Sequence, residues 1–246
     1  MTLSGKRVLI TGGGTGLGAN MALRFAKSGA EVIIAGRRPE PLNTVAATHK
    51  NIRSLIADVT IEKSVAAMFL AAGPCDIVIA NAGAAESAPF GLVTMDQWNA
   101  MIAVNLTGVF LTFRDGLNQM QGWGRLVAIA STASLRGFAY VAPYAAAKHG
   151  VVGLVKSLAL EMGKKPITAN AICPGYLNTE MTDRSVEAIV KKTARSPEQV
   201  RRSLAFQNVH GRLIEPAEVT AIALRLCDEA SETINGQVIA IPEGEL

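Results

Sequence analysis

The sequence predicts an α/β fold, a single domain built on a doubly wound, seven-stranded parallel sheet with helices on both faces. Three observations support this prediction. Short runs of β-branched and aliphatic residues alternate with longer segments of helical periodicity along the chain. The short runs are apolar at nearly every position, which is typical of strands buried on both faces. The 246 residues contain no repeat and no linker, and this length suits one α/β domain.

Seven runs are predicted to be strands, and they cover residues 7–10, 31–36, 52–57, 76–81, 125–131, 167–172 and 237–241. Six segments are predicted to be helices, and they cover residues 17–28, 40–50, 61–72, 95–119, 144–163 and 215–229. Strands joined through helices pair in parallel by right-handed crossovers. Ligands bind at the carboxyl ends of such strands, so functional residues are expected directly after each strand.

Composition narrows the range of partners. The net charge is +4 without a long run of Lys or Arg, which argues against nucleic acid and leaves anionic small molecules as ligands. The cysteines form no CxxC pair, so neither a disulfide framework nor a thiolate metal site is expected. They are Cys75, Cys173 and Cys227. No signal peptide precedes the first strand, and no apolar run is long and charge-free enough for a bilayer. We therefore expect a cytoplasmic protein with no membrane partner.

The first predicted strand is followed by TGGGTGLG, residues 11–18. A sharp glycine turn into a helix leaves free N–H groups that bind phosphate, and side chains there would block the approach. A glycine-rich turn without a ligand is the alternative, but the strand before it and the helix after it favour a dinucleotide. The predicted binding residues are Gly12, Gly14, Thr15, Gly16, Leu17 and Gly18.

The second predicted strand ends in IIAGRR. An NAD-binding enzyme usually has an acidic residue here, about 20 residues past the glycines, to bind the ribose hydroxyls. Gly36 takes that position, and the guanidinium groups of Arg37 and Arg38 suit a 2′-phosphate. The alternative is a pair of ordinary solvated charges. We predict NADP(H) as the cofactor, with Arg37 as the main contact and Arg38 as support.

Two further strand ends carry candidate cofactor contacts. Asp58 and Val59 follow the third strand, and Asn81, Ala82 and Gly83 follow the fourth. Asp58 could instead be an acid at a helix N-terminus, and Asn81 and Gly83 could be turn residues. Their placement at successive strand ends favours contacts to the adenine and ribose.

The segment YAAAK places Tyr144 and Lys148 four residues apart at the start of a predicted helix. Residues at this spacing share a helix face, with β-carbons roughly 5–6 Å apart. A charged ammonium beside a phenol lowers the phenol's pKa from its usual value of about 10. The pair is therefore either an exposed coincidence or a tuned acid. Tyr140 is a weaker candidate because no lysine lies four residues after it.

Together and in this order, the motifs resemble the short-chain dehydrogenase/reductase family. The resemblance covers essentially the whole chain and includes Asn105 in VNLTGVF, Ser131 after RLVAIA and the Pro-Gly pair at 174–175. It implies a Rossmann-like fold and hydride transfer between a nicotinamide and a carbonyl carbon.

The resemblance assigns catalysis to Asn105, Ser131, Tyr144 and Lys148. It implies that Tyr144 exchanges a proton with the substrate oxygen, to which Ser131 donates a hydrogen bond. Lys148 would tune Tyr144 and bind the nicotinamide ribose. Asn105 would hold a water beside Lys148. Positioned proton transfer of this kind is typically worth roughly 10²–10⁴ in rate.

Two of these assignments have rivals in the sequence. Thr132 and Ser134 carry hydroxyls close to Ser131, but Ser131 ends the predicted strand and lies thirteen residues before Tyr144, which is the family's interval. Asn105 could instead be a buried polar residue at a break in a helix.

After the sixth strand, the resemblance predicts further contacts to the nicotinamide from Pro174, Gly175, Leu177 and Thr179, with Thr179 binding the carboxamide. Residues 176–214 do not follow the strand–helix alternation, and we predict a helical substrate lid there.

The predicted lid is rich in cations. They are Arg184, Lys191, Lys192, Arg195, Arg201, Arg202 and Arg212. An ordinary solvated surface is one interpretation. The other is a basic rim that attracts an anionic substrate tail such as a coenzyme A thioester. The region resembles that of 3-oxoacyl thioester reductases and hydroxyacyl-CoA dehydrogenases.

Assembly is expected from the helices at 95–119 and 144–163, which are apolar on more than one face. The family implies a homotetramer, and a homodimer is the alternative. The family's Asp-Gly-Gly near the carboxyl end is replaced by Pro242, Glu243 and Gly244, which puts this assembly in some doubt.

The sequence therefore predicts a metal-independent, NADP(H)-dependent enzyme that interconverts a small-molecule ketone and a secondary alcohol. An NADP(H)-binding sensor or regulatory protein without turnover is the main alternative, and the complete Ser–Tyr–Lys set disfavours it. A nucleotide-binding protein for a methyl donor is the second alternative, which Arg37 and the YAAAK segment disfavour.

Overall fold

The structure is a computed structural model and describes residues 2–241. Its strands are β1 (Arg7–Thr11), β2 (Glu31–Gly36), β3 (Ile52–Ile56), β4 (Ile77–Ala80), β5 (Gly124–Ile129), β6 (Ile167–Pro174) and β7 (Val238–Ile241). All seven predicted strands are present. The predicted departure at Pro242, Glu243 and Gly244 lies outside the described residues.

The helices are α1 (Gly16–Lys27), α2 (Pro39–Ala46), α3 (Glu62–Ala72), α4 (Met95–Ile102), α5 (Gly108–Gln119), α6 (Ala142–Glu161), α7 (Glu180–Lys192), α8 (Pro197–Ala205) and α9 (Pro216–Leu226). Local sequence explains several starts. Thr94 and Ser196 each form a capping box at the first turn of α4 and α8, and α2, α6, α8 and α9 have proline in their first turn.

The strands form one sheet in the order β3-β2-β1-β4-β5-β6-β7, and every pairing is parallel. The chain reaches the edge at β3 and then crosses to the other side of β1 to form β4. This reversal opens a crevice at the carboxyl ends of β1 and β4, where ligands bind in doubly wound sheets. The predicted fold class is confirmed.

Each face of the sheet is covered by its own hydrophobic core. Alternate residues of β1 enter different cores: Leu9 belongs to one, and Val8 and Ile10 belong to the other, all three fully buried. The first core includes residues of α3, α5 and α6, and the second includes residues of α1 and α9. Burial on both faces explains why the strands are apolar at consecutive positions.

The predicted helix at 95–119 is interrupted. A π-helical turn over Ala103–Thr107 separates α4 from α5, and such turns are frequent at functional sites. We expected no segment apolar enough to cross a bilayer, but Met95–Gln119 is long and apolar enough by length and composition alone. Its inner face nevertheless packs into the protein core, where Val109 and Phe113 are each 2% exposed.

Two further differences from the prediction bear on the site. Strand β5 ends at Ile129, so Ser131 lies two residues beyond the strand. The segment at 176–214 forms two helices, α7 and α8, which enclose a small separate core of Val186, Val200 and Leu204. Arg201 pairs with Asp183 and so links the two helices.

Candidate active site

The glycine turn between β1 and α1 fits closely against the end of β4. Gly12 has φ 68°, and a β-carbon there would lie 2.9 Å from the α-carbon of Ala82. A β-carbon at Gly18 would lie 2.2 Å from the carbonyl oxygen of Gly12. Both positions therefore require glycine on steric grounds. The turn leaves the N-terminus of α1 facing the crevice, as phosphate binding requires.

Asn81 holds this turn in place. Its side-chain nitrogen donates to the carbonyl oxygens of Thr11, at 2.9 Å, and Gly12, at 3.2 Å. The Thr11 hydroxyl in turn accepts from the backbone N–H groups of Asn81 and Ala82, each at 3.1 Å. We predicted Asn81 as a cofactor contact; its side-chain nitrogen bonds to the turn, and the contact to the cofactor stays a prediction. Thr11 was missed, although it opens the TGGG motif.

The two arginines after β2 are exposed. Within residues 2–241, the side chains of Arg37 and Arg38 form no ion pair and no hydrogen bond. Arg38 is the residue before the first turn of α2. Their guanidinium groups are therefore available to an anionic ligand beside the carboxyl end of β2.

Asp58 and Val59 lie where the sequence placed them, after β3. Asp58 Oδ1 accepts hydrogen bonds from the backbone and the hydroxyl of Thr60, at 2.9 and 2.7 Å. Val59 is 7% exposed, and a β-carbon at Gly108 would lie 2.9 Å from its side chain. The Val59 side chain thus packs against the start of α5, and the cofactor contacts of Asp58 and Val59 stay predictions.

Ser131 and Tyr144 are joined by a side-chain hydrogen bond. Ser131 precedes a short 3₁₀ turn and also accepts from the backbone N–H of Ala133 at 3.1 Å. Of its two rivals, Thr132 is 2% exposed and Ser134 is 4% exposed, and the Ser134 hydroxyl accepts from the backbone of Ser131. Ser131 is therefore the hydroxyl that meets Tyr144.

Lys148 lies on the same face of α6 as Tyr144. Its ammonium group is 5.8 Å from the centre of the Tyr144 ring and donates to the carbonyl oxygen of Ile129 at 2.8 Å. The side chain is 3% exposed, and this burial lowers its pKa to about 8 because a charge is poorly solvated in the interior.

The pKa of Tyr144 differs from our expectation. We expected Lys148 to lower it, but burial raises it, and the hydrogen bond from Ser131 offsets this only in part. The physical reason is that desolvation penalises the phenolate. In this arrangement Tyr144 holds its proton firmly.

Asn105 lies in the π-helical turn and is fully buried. Its side-chain nitrogen donates to the carbonyl oxygens of Ala84, at 2.9 Å, and Met101, at 3.1 Å, and its oxygen accepts from the Ala84 backbone at 3.2 Å. A β-carbon at Gly83 would lie 2.8 Å from Asn105 Oδ1 and 3.8 Å from Lys148 Nζ. Asn105 thus ties the loop after β4 to the helix break, and its water-holding role stays a prediction.

Residues after β6 form the opposite wall of the crevice. Pro174 ends β6, and Gly175 follows it. Leu177 bridges to Ile214. Thr179 precedes the first turn of α7 without using its side chain as a cap, and its β-carbon lies 3.3 Å from where Gly16 would carry one. The fold therefore brings Thr179 next to the glycine turn.

The cations of the predicted lid are partly neutralised. Three arginines pair with carboxylates: Arg184 with Glu180, Arg201 with Asp183 and Arg212 with Glu218. Arg212 lowers the pKa of Glu218 to about 2. Lys192 donates to the carbonyl oxygen of Ser87 at 2.9 Å. Lys191 and Arg195 have no acidic partner within residues 2–241, so the basic rim reduces to a few exposed charges.

The three cysteines are free and buried. Within the described part of the chain, no group of three His, Cys, Asp or Glu side chains is arranged to hold a metal ion. The remaining candidate chemistry is therefore the Ser131, Tyr144 and Lys148 set beside the glycine crevice.

This fold and site define a dinucleotide-dependent oxidoreductase of ketones and secondary alcohols. The family model described as short chain dehydrogenase matches residues 6–189, and the chain belongs to that family. It is 35% identical to a D-beta-hydroxybutyrate dehydrogenase of Cupriavidus necator, covering 96% of both chains. It is also 35% identical to an acetoacetyl-CoA reductase of Shinella zoogloeoides, covering 96% of this chain and 97% of the relative.

A solved structure of a ketoreductase has the same fold. An actinorhodin polyketide ketoreductase variant crystallised with NADPH superposes with a TM-score of 0.89 at 31% identity, covering 99% of this chain and 98% of that one. The predicted family and fold are confirmed.

Proposed function

We propose that this protein is an NADP(H)-dependent reductase of 3-oxoacyl thioesters that also oxidises the corresponding 3-hydroxyacyl thioesters. The observation that carries the proposal is the Ser131–Tyr144 hydrogen bond beside the buried Lys148. Two hydroxyls at one point suit a carbonyl oxygen that gains negative charge during reduction.

The crevice fits NADP(H). The glycine turn, in which Gly12 and Gly18 have no room for a β-carbon, leads into the N-terminus of α1 as phosphate binding requires. The exposed Arg37 and Arg38 suit a 2′-phosphate. When bound, this cofactor donates or accepts the hydride. Leu177 and Thr179 line the far wall, and Thr179 faces the glycine turn through Gly16, which supports its predicted contact to the carboxamide.

Tyr144 acts as the proton donor in reduction. Its raised pKa keeps the phenol protonated at neutral pH, which suits delivery of a proton to a developing alkoxide. Ser131 orients the substrate oxygen. Lys148 binds the nicotinamide ribose and neutralises the charge left on Tyr144, while Asn105 keeps the loop at Gly83 in place beside it.

The substrate class rests on two supports. One is the names of the relatives, which act on hydroxybutyrate and acetoacetyl-CoA. The other is the exposed Lys191 and Arg195 on the helical segment at 176–214, which we propose is a substrate lid that attracts an anionic tail.

The test compares acetoacetyl-CoA with ethyl acetoacetate, which carries the same ketone without the anionic carrier. Oxidation of NADPH and of NADH is followed for both substrates. We expect a higher kcat/KM for the thioester with NADPH, and loss of this preference in a Lys191→Glu/Arg195→Glu variant. Equal activity on both ketones would remove the thioester assignment while leaving the reductase.

The same assay separates an enzyme from a sensor. Tyr144→Phe keeps the ring but removes the hydroxyl, so we expect turnover to fall roughly 10²–10⁴-fold. NADPH should still raise the melting temperature of this variant. A variant that folds and keeps most of its turnover would contradict the catalytic assignment.

We further propose a cytoplasmic homotetramer, with a homodimer as the alternative, and no membrane or nucleic-acid partner. The exposed Phe110 on α5 and Leu160 on α6 support assembly through these helices. Light scattering of the purified protein would give its oligomeric state directly, and a monomer would contradict the proposal.

A further inference from the structure

Tyr140 has an unusual backbone conformation close to the catalytic tyrosine. Its φ is 69°, and it is the one non-glycine residue with positive φ within residues 2–241. A side chain in this left-handed region is strained, and such strain persists where the surroundings hold it, often at functional sites. Tyr140 lies four residues before Tyr144 and two before the start of α6.

Two hydrogen bonds hold this region. The carbonyl oxygen of Tyr140 accepts from the backbone N–H of Ala88 at 2.9 Å. The neighbouring Ser87 carbonyl accepts from Lys192 at the end of α7. Tyr140 therefore lies where the loop after β4, the segment before Tyr144 and the proposed lid come together.

The side chain of Tyr140 is 65% exposed, although an aromatic ring gains by burial. Other apolar side chains in the same two segments are exposed as well: Phe90 is 78% exposed, Leu92 is 71% and Leu135 is 37%. These side chains lie in the loop after β4 and in the segment between Ser131 and Tyr144, and exposed apolar side chains in segments next to the candidate catalytic residues suit an apolar ligand group.

We propose that Tyr140 is a specificity-determining residue that contacts the apolar acyl chain of the substrate on the side of the ketone away from the thioester. The proposal rests on the proposed function and deepens it. The backbone bond to Ala88 keeps Tyr140 beside the loop that carries Phe90. The site therefore favours acyl chains longer than that of acetoacetyl-CoA.

The test uses Tyr140→Asn and Tyr140→Gly, because asparagine and glycine tolerate positive φ. Both variants remove the ring and relieve the strain, so the melting temperature should not fall below that of the wild type. We expect kcat/KM to fall about 3- to 10-fold for 3-oxooctanoyl-CoA, the worth of roughly one to two buried CH₂ groups, and to change little for acetoacetyl-CoA.

Tyr140→Phe keeps the ring and should keep the wild-type ratio of the two substrates. Leu70→Ala is the control, since Leu70 is 83% exposed on α3, and its loss should leave both substrates unaffected. An equal fall for both chain lengths, no fall at all, or a lower melting temperature for both ring-less variants would overturn the inference. A wild type inactive on both thioesters would reject the proposed substrate class and the inference with it.

Discussion

The ammonium group of Lys148 donates a 2.8 Å hydrogen bond to the carbonyl oxygen of Ile129, at the last residue of β5. This bond fixes a buried amine near Tyr144, whose ring centre lies 5.8 Å from the ammonium group. It compensates in part for the loss of hydration, but burial still lowers the pKa of Lys148 to about 8. The site therefore contains an amine that titrates near physiological pH.

Lys148 should make stability depend on pH. In the unfolded chain its pKa is about 10.4, so between pH 8 and 10 the unfolded state binds more protons than the native state. The free energy of unfolding therefore gains a term that rises with pH, by at most about 1.4 kcal/mol per pH unit. Urea unfolding of the wild type and Lys148→Met across this range would measure it.

The two proteins must be compared with each other, because other groups also change stability with pH. Burial raises the pKa of Cys75 to about 12, which lowers the free energy of unfolding as pH rises. The wild type should gain stability relative to Lys148→Met as pH rises. Parallel profiles for the two proteins would show that the pKa of Lys148 is not lowered.

Ser131 and Ser134 should differ in function although both carry hydroxyls at the same short turn. Ser131→Ala removes the group that hydrogen-bonds to Tyr144, so we expect kcat to fall on the order of 10²-fold or more. Ser134→Ala removes a buried acceptor for the Ser131 backbone and should mainly lower the melting temperature. Steady-state kinetics and thermal unfolding of both variants check this, and similar losses of kcat would contradict it.

Arg37 should decide between the two nicotinamide cofactors. Arg37→Glu replaces a cation by an anion where the 2′-phosphate is expected, so KM for NADPH should rise about 10- to 100-fold, the worth of a charged hydrogen bond. KM for NADH should change far less. Arg225→Glu on α9 is exposed as well and serves as the control for net charge. Equal effects on both cofactors would remove the 2′-phosphate contact.

Gly18 and Gly153 form a matched pair of helical glycines. A β-carbon at Gly18 would meet the Gly12 carbonyl, whereas at Gly153 nothing lies within 4 Å. Gly18→Ala should destabilise the protein by about 1–3 kcal/mol and abolish its stabilisation by NADPH. Gly153→Ala should stabilise α6 by about 0.5–1 kcal/mol. Thermal unfolding with and without NADPH would test both, and a Gly18→Ala variant that still responds to NADPH would contradict the phosphate site predicted at the glycine turn.

Local patterns were sufficient for the fold and for the location of the site. Continuous apolar strands, glycines at the first strand end and the YAAAK spacing are encoded by neighbouring residues, so the sheet, the crevice and the pairing of Tyr144 with Lys148 could be predicted. The sequence offered a helix break at Asn105 only as an alternative to its catalytic role. The π-helical turn could not be predicted because it depends on packing against the loop at Ala84.

The sequence by itself determined the doubly wound sheet, the family and the class of reaction, because these depend on residue types and short spacings. Only the tertiary structure decided that Asn81 clamps the glycine turn through Thr11, seventy residues away, and that Tyr144 is made less acidic. Both follow from contacts and burial that distant parts of the chain create together. Desolvation in particular depends on everything packed around a group, and no local pattern records it.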